Sequence, residues 1–198
     1  MNEHQETHDF DRPYWERHWQ QARRNGPGPA PNPYLLRETG ALKPGTALDA
    51  GCGEGGEARW LAEHGWDVTA ADISAEVLAR AGRVPSSVDW VQADLTDWTP
   101  GRQFDLVMTH YAHPSIPQLA FYDRIAEWVA PGGTLLIVGH LHGHHPAEAT
   151  ATAANITARL AVAKWAIVTA DEQARTVTAP DGRSVSLHDV VVRATRHQ

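Results

Sequence analysis

A glycine loop placed directly after a carboxylate is the part of this sequence with the most distinctive chemistry. Asp49 closes an apolar run, and Gly51, Gly53 and Gly56 have the Gly-x-Gly-x-x-Gly spacing of a nucleotide-binding turn. Glycine permits tight turns and lets the backbone approach a ligand closely. A pyrophosphate would lie at the N-terminus of the following helix, where Asp49, Glu54 and Glu57 would repel it. The loop therefore favours a ligand that joins adenosine to a cationic amino-acid group over a dinucleotide.

Two further acids follow the next predicted strands at spacings that suit an adenosine. Asp72 lies about 20 residues after Gly51, the separation at which an acid accepts hydrogen bonds from ribose hydroxyls. Asp94, beside Leu95, is placed to meet the exocyclic amine and flat face of an adenine. Aspartate also ends strands simply because it favours turns, and for any one acid both interpretations stay open. Three acids at consecutive strand ends, together with the glycine loop, indicate a site for S-adenosylmethionine.

Histidines are the second chemical feature, and they are concentrated after the fourth and fifth predicted strands: His110, His113, His140, His142, His144 and His145. Neutral imidazoles at one sheet edge can act as bases near neutral pH or contact a polar substrate. They can also bind a divalent metal, or simply lie in a solvated loop. These alternatives stay open. His113 and His140 are our candidates for a base or a substrate-orienting role, and no residue is assigned to a metal.

Strands that alternate with helices position these residues. From Thr46 onward the pattern is typical of a parallel sheet covered on both faces, in which ligands bind outside the carboxyl ends of the strands. The C-terminal part breaks the alternation, because Pro180-Asp181-Gly182 predicts a turn between two strands of an antiparallel hairpin. The strands are predicted over residues 46–50, 67–71, 88–92, 104–108 and 134–138, and the hairpin segments over 165–169, 175–178 and 184–193.

The N-terminal residues have a different composition. Residues 1–12 are predicted to be a disordered lead-in, followed by an aromatic helix from Pro13 to about Arg24 that carries Trp15 and Trp19. A Pro- and Gly-rich linker over residues 25–33 comes next. We therefore divide the chain into residues 1–40, with the tail, aromatic helix and linker, and residues 41–198, which form one domain. The two tryptophans either pack against that domain or form a lid over its site.

Composition argues against several classes of protein. The net charge of −7 and the lack of a Lys/Arg cluster argue against a nucleic-acid partner. The longest strongly apolar run, Leu135–Val138, is too short to span a membrane, and the polar N-terminus lacks the apolar region of a signal peptide. We therefore expect a cytoplasmic protein without a membrane partner. The single cysteine, Cys52, excludes an intramolecular disulfide, and we expect it to be a small loop residue rather than a reactive thiol.

Five short motifs occur in order along the chain: Leu48–Gly53, Ala71–Ser74, Gln92–Asp94, Phe104–Val107 and Ala130–Leu135. Over residues 44–140 this series resembles the successive motifs of class I S-adenosylmethionine-dependent methyltransferases. The resemblance implies a Rossmann-like, doubly wound α/β fold whose sheet has seven strands, the last antiparallel, with the N-terminal helix as a cap. The small size, the aromatic helix and the C-terminal hairpin are also similar to the tellurite-resistance methyltransferases.

The resemblance also assigns residues to parts of the cofactor. It implies that the methionine end lies against Asp49, Gly51 and Gly53, the ribose against Asp72 and Ile73, the adenine against Asp94 and Leu95, and that Thr109 and His110 border the cofactor. On this basis we expect an enzyme that transfers a methyl group to a small-molecule acceptor. Two alternatives stay open: an NAD-binding oxidoreductase that uses the same glycine spacing, and a non-catalytic module that senses the cofactor or a metal.

Overall fold

The structure is a computed structural model that describes residues 9–22, 28–142, 151–178 and 182–198. The strands are β1 (Thr46–Ala50), β2 (Asp67–Asp72), β3 (Asp89–Gln92), β4 (Phe104–His110), β5 (Val129–His142), β6 (Trp165–Thr178) and β7 (Ser184–Arg196). The helices are α1 (Arg12–Gln21), α2 (Pro33–Thr39), α3 (Gly56–Glu63), α4 (Ala75–Ala81), α5 (Gln118–Ala126) and α6 (Ala153–Arg159). Several predictions concern residues outside the described part: most of the lead-in, Arg24 and the start of the linker, His144, His145, and Pro180-Asp181 of the turn.

The strands form one seven-stranded sheet in the order β3-β2-β1-β4-β5-β7-β6. Strands β1 to β5 pair in parallel, and β7 runs antiparallel to both of its neighbours. The seven-stranded sheet with an antiparallel last strand is therefore confirmed. The strand order reverses direction between β1 and β4, and the carboxyl ends at such a point form the usual ligand crevice of an open α/β sheet.

Both faces of the sheet are buried, as a doubly wound fold requires. Alternate residues of β1 show this directly, because Leu48 and Ala50 belong to one core cluster and Ala47 to the other. Helices α5 and α6 cover the first face, and helices α2, α3 and α4 cover the second. The alternation of strand and helix along the sequence thus produces two cores, and it leaves the strand ends open for a site.

The C-terminal hairpin is longer than predicted. β6 is one continuous strand, paired with β7 from Trp165 opposite Arg196 to Thr178 opposite Ser184. The sequence predicted two separate segments because the stretch between them is polar, but cross-strand pairing carries the backbone through it. Gly182, at the edge of the predicted turn, has a φ of +84° that suits glycine.

Two further differences lie around β5. The strand predicted over residues 134–138 is longer: helix α5 ends at Ala126 and β5 already begins at Val129, so that Pro131-Gly132-Gly133 belongs to the strand segment. Helix α6 was not predicted. Thr152 caps it by accepting a hydrogen bond from the amide of Asn155, a signal that the sequence does contain.

The N-terminal segment is ordered earlier than predicted. Phe10 is buried, so the prediction of a disordered lead-in over residues 1–12 is wrong at this position. The side chain of Asp11 then caps α1 by accepting from the amide of Tyr14. A single aromatic residue has no periodicity from which burial could be predicted.

In the described part of the chain, none of the helices combines the length and apolar character that crossing a bilayer would demand.

Candidate active site

A cavity of about 240 Å³ opens at the carboxyl ends of the central strands. Nine of the residues predicted for the site line it: Asp49, Gly51, Gly53, Asp72, Ile73, Asp94, Leu95, His110 and His113. Two predicted residues, Thr109 and His140, do not belong to the lining. Thr109 is buried in β4 beside His110, and His140 lies behind the wall of the cavity, stacked on His113. The sheet thus brings residues from four strand ends into one space.

The loop after β1 depends on glycine for two separate reasons. Gly51 has a φ of +82°, and a Cβ atom there would come within 2.4 Å of the Cβ of Ala112. A side chain would therefore be strained and would also collide with the segment that follows β4. The amides of Gly51 and Cys52 both donate to the carbonyl of Ala71, which fixes the loop to the end of β2. The loop and the segment after β4 are held together as two sides of the cavity.

Asp49 is the most unusual ionisable group of the site. Asp49 is 1% exposed, and its Oδ2 atom has no hydrogen-bond partner among the described residues. Burial, together with the nearby negative charges of Glu57 and Asp72, raises the pKa of Asp49 well above its ordinary value. Ionising a buried carboxyl group that has no partner costs free energy. A cationic ligand group beside it would stabilise the ionised form. The methionine end of S-adenosylmethionine fits this environment.

Asp72 both shapes the loop and faces the cavity. Its Oδ2 accepts from the amide of Gly53 at 2.9 Å and its Oδ1 from the amide of Ser74 at 3.0 Å. Burial raises the pKa of Asp72, although these backbone hydrogen bonds oppose the increase. A carboxylate oxygen has more than one lone pair, so both oxygens can also accept from ligand hydroxyls. This geometry fits a ribose.

The side chain of Asp94 also serves the turn in which it lies. Its Oδ1 accepts from both the amide and the hydroxyl of Thr96, at 3.0 and 2.7 Å. This is the turn-forming role that aspartate often has at strand ends, and here it coexists with a place in the cavity wall. Ile73 and Leu95 add apolar surface nearby, which suits the flat faces of an adenine.

His110 and His113 form the part of the cavity opposite the glycine loop. Both ring nitrogens of His110 are buried without a hydrogen-bond partner among the described residues. Burial lowers the pKa of His110, with Glu57 acting in the opposite direction, so this imidazole is neutral near neutral pH. His113 is buried, and its ring stacks on Phe10 at 5.6 Å between centroids. Both imidazoles are placed to meet a polar group of a second ligand.

A polar cluster lies behind this wall. The ring of Tyr111 stacks on His140 at 4.4 Å, and its hydroxyl accepts from Arg175 Nη2 at 3.2 Å and from Asn32 Nδ2 at 3.4 Å. Burial raises the pKa of Tyr111 to about 12, so the hydroxyl stays protonated at neutral pH. Tyr111 has a φ of +58°, a backbone conformation that is rare for a bulky residue. That backbone turns the chain from β4 into the cavity wall.

Helix α1 closes one side of the cavity. Phe10, Trp15 and Trp19 line it, and the indole of Trp15 donates to the carbonyl of His113 at 3.2 Å. The carboxylate of Glu16 accepts three hydrogen bonds at the start of α4, from the hydroxyl of Ser74 and from two successive backbone amides. The guanidinium of Arg80, at the end of α4, donates to the carbonyls of Trp19 and Ala22. Helix α1 is therefore attached to both ends of the helix that follows Asp72.

Several residues of the cavity wall were not predicted: Phe10, Cys52, Glu57, Tyr111, Ala112, Pro114, Ser115 and Phe121. Four of them, Cys52, Tyr111, Ala112 and Pro114, adjoin a predicted residue in the sequence, and this adjacency is the signal by which they could have been found. Burial raises the pKa of the Cys52 thiol well above its ordinary value, which agrees with a packing role rather than a reactive one.

The histidine segment after β5 contributes no metal site within the described residues, among which no group of three or more potential ligands is assembled. His144 and His145 lie outside the described residues, as does the side chain of His142. Their predicted roles are therefore not addressed by this geometry.

Comparison with known proteins shows what this domain is similar to. Residues 47–133 match the family described as a methyltransferase domain. The chain is 34% identical over 128 residues to a malonyl-[acyl-carrier protein] O-methyltransferase of Enterobacter lignolyticus. The aligned region covers 62% of this chain and 47% of that protein. The chain thus spans less than half the length of this relative.

Solved structures share the whole fold at low sequence identity. The structure of TehB from Haemophilus influenzae aligns with a TM-score of 0.70 at 16% identity, over 94% of this chain and 67% of that one. The N-methyltransferase NodS from Bradyrhizobium japonicum, in complex with S-adenosylhomocysteine, aligns with a TM-score of 0.63 at 18% identity, over 83% and 85% of the two chains. Residues 47–133 are thus similar to a methyltransferase domain, and the chain shares its fold with these solved structures.

Proposed function

We propose that the chain is an S-adenosylmethionine-dependent methyltransferase that acts on a small molecule. The observation that carries this conclusion is the buried Oδ2 of Asp49 in the cavity wall, which has no hydrogen-bond partner among the described residues. A buried carboxylate is unfavourable unless a cation or a donor meets it, and the cationic methionine end supplies both. The pyrophosphate of NAD would instead add negative charge beside Asp49, Glu57 and Asp72, which argues against the oxidoreductase alternative.

The cavity residues fit the cofactor part by part. We assign the methionine end to Asp49, Gly51 and Gly53, the ribose to Asp72 and Ile73, the adenine to Asp94 and Leu95, and a bordering position to His110, while Thr109, buried beside it in β4, lies outside the cavity lining. When bound, the cofactor supplies a methyl group that the positive charge of its sulfur has already activated. The contribution of the chain is then chiefly to align the acceptor with that methyl group.

The acceptor would lie beside His110 and His113. A nucleophile that carries a proton must lose it as it takes the methyl group, and an imidazole near neutral pH is an effective base for that proton. We assign this role to His113, which lines the cavity. His140 lies behind the wall and stacks on His113 at 6.0 Å, so we assign it the orientation of His113 toward the substrate. Among the described residues, the lining contains four acids and neither Lys nor Arg. This supports an acceptor that is neutral or cationic, with a thiol, hydroxyl or amine group, rather than a carboxylate.

We also propose that residues 1–40 act as a lid on the domain of residues 41–198. Support comes from Phe10, Trp15 and Trp19, which cover the cavity with apolar surface, and from the attachment of α1 to α4. Exclusion of water strengthens the electrostatic interactions inside a site and suppresses side reactions. A lid must also open to admit the cofactor. The cytoplasmic location and the absence of a nucleic-acid partner stay predictions.

Calorimetry and an acceptor panel test the proposed function. Purified protein is titrated separately with S-adenosylmethionine and NAD, and release of S-adenosylhomocysteine is then followed with pairs of acceptors that share a carbon skeleton but carry a thiol, alcohol, amine or carboxylate. We expect binding of S-adenosylmethionine alone and turnover of a member that carries a thiol, alcohol or amine, but not of its carboxylate counterpart. Tighter binding of NAD would overturn the proposal in favour of an oxidoreductase. Tight cofactor binding with no turnover would favour the sensing module.

A further inference from the structure

A fully buried carboxylate lies directly behind the histidines of the site. Asp189 of β7 is 0% exposed and stands opposite His140 of β5 in the antiparallel ladder. None of the motifs that define the cofactor site includes it, because it belongs to the C-terminal hairpin. Burying an ionised carboxylate this deeply costs free energy unless hydrogen bonds or opposite charges meet its oxygens. The partners of each oxygen therefore indicate the role of Asp189.

The two oxygens of Asp189 have different surroundings. Oδ2 is held in place by the guanidinium of Arg175 and by the hydroxyl of Tyr34, which donates at 3.2 Å. Oδ1 has no hydrogen-bond partner among the described residues, and it faces Nδ1 of His140 at 3.7 Å. One oxygen therefore anchors the carboxylate, and the other is presented to the imidazole. A small movement of either group would close this distance to a hydrogen bond.

The ring of His140 is held between two other rings. Tyr111 stacks on it at 4.4 Å with an interplanar angle of 28°, and His113 stacks on it at 6.0 Å with an angle of 17°. The charged and titratable groups that face His140 from the described elements are thus Asp189 from β7, Arg175 from β6 through its contact with Asp189, and Tyr111 and His113 from the segment after β4. Asp189 is the one of these that presents a negative charge to a ring nitrogen.

We propose that Asp189 is the positioning residue for the histidines of the acceptor site. Its Oδ1 holds the proton of His140 on Nδ1, fixes the ring against which His113 packs, and stabilises the imidazolium when His140 becomes protonated. A carboxylate that orients an imidazole in this way also sets which ring nitrogen keeps its lone pair. This role rests on the proposed function, because it gives the histidine pair its purpose. The contact itself, however, is a property of the protein without any ligand.

Nuclear magnetic resonance of nitrogen-15-labelled protein tests the contact without a substrate. In the wild-type chain we expect neutral His140 to carry its proton on Nδ1, where Oδ1 of Asp189 accepts it. In Asp189→Asn we expect the titration midpoint of His140 to move to lower pH by about one unit, because a negative charge within about 4–6 Å favours the imidazolium. The matched control is Asp171→Asn, which neutralises a partly exposed carboxylate of the same hairpin that pairs with Arg37. This variant should leave His140 unchanged.

Two results would overturn the assignment. One is a wild-type His140 that carries its proton on Nε2, and this measurement needs no variant and no assumption about folding. The other is an Asp189→Asn protein that keeps the wild-type midpoint while its circular dichroism stays native. Calorimetry with S-adenosylmethionine on the same samples separates the two proposals. Histidine spectra that follow these expectations in a protein that does not bind the cofactor would contradict the proposed function, and either overturning result in a protein that binds it normally would contradict only the role of Asp189.

Discussion

At the scale of single residues, Asp49 combines two properties that rarely occur together in a purely structural acid. It is buried with one oxygen unpaired among the described residues, and its pKa is raised well above the ordinary value, first by burial and then by Glu57 and Asp72. An acid whose pKa is higher in the folded state makes the fold less stable as pH rises above the unfolded value, near about 4. The apoprotein therefore carries an electrostatic strain that a bound cation removes.

The Asp49→Asn variant should separate binding from stability. We expect the apoprotein to become more stable at neutral pH, because the amide cannot ionise. S-adenosylmethionine should bind at least about tenfold more weakly, since a hydrogen bond to a charged group is worth roughly 1.5–3 kcal/mol. Binding to the wild type should release a proton, which calorimetry in buffers of different ionisation enthalpy measures. Asp97→Asn, at an exposed carboxylate, is the control. A less stable apoprotein with unchanged affinity would contradict the role of Asp49.

His113 is the residue whose loss should affect chemistry and not cofactor binding. Replacement of His113 by Gln keeps a polar side chain of similar size but removes the base. We expect turnover to fall by about 100-fold or more, the usual contribution of a general base, with cofactor affinity unchanged. The control is His64→Gln, because His64 is exposed and stacks on Trp60 away from the cavity. If His113→Gln lost affinity for S-adenosylmethionine instead, His113 would belong to the cofactor half of the site.

At the scale of elements, Glu16 is the contact that attaches α1 to α4. It accepts from the Ser74 hydroxyl at 2.8 Å and from the amides of Ala75 and Glu76 at 2.8 and 3.2 Å. Partial burial alone would raise the pKa of Glu16, but these hydrogen bonds together lower it below the ordinary value. Because the pKa of Glu16 is lowered, the contact stabilises the structure fully at pH values above the ordinary pKa of glutamate. This stabilisation is lost as the pH falls through the lowered pKa. The attachment is thus complete at neutral pH.

The Glu16→Gln variant tests whether α1 is a lid. Removing one partly exposed charge-assisted contact should cost about 1 kcal/mol, so we expect S-adenosylmethionine to dissociate about fivefold faster with little change in association. Stopped-flow displacement measures both rates. Glu16 stays ionised between about pH 6 and 8, because this range lies well above its ordinary pKa. Its titration should therefore not change either rate within this range. Glu63→Gln, on an exposed position of α3, serves as the matched control. Equal dissociation rates in both variants would show that α1 is packing surface only.

At the scale of the whole molecule, the parts that sequence could predict are those that depend on local pattern. The glycine loop, Asp72 and Asp94 lie at the ends of periodic strands, and parallel sheet topology is sufficient to bring such ends together. Phe10 and Asp189 could not be predicted in this way. Phe10 is buried only because α1 folds back over the cavity, and Asp189 meets His140 only through the pairing of β5 with β7. Their roles depend on contacts between distant segments, for which one sequence contains no periodic signal.

Linkage between cofactor and fold gives a prediction for the molecule as a unit. A ligand that binds only the folded state stabilises it by about 2.7 kcal/mol at a concentration of 100 times Kd. For a chain of this size, 1 kcal/mol corresponds to roughly 2–4 °C in Tm, so S-adenosylmethionine should raise Tm by about 5–10 °C. The increase should grow with pH across the range in which Asp49 ionises, because the cation then meets a carboxylate rather than a neutral acid. Differential scanning calorimetry measures both effects, with NAD at equal concentration as the control. A similar increase with NAD, or one that shrinks as pH rises, would mean that Asp49 does not face the cationic end of the cofactor.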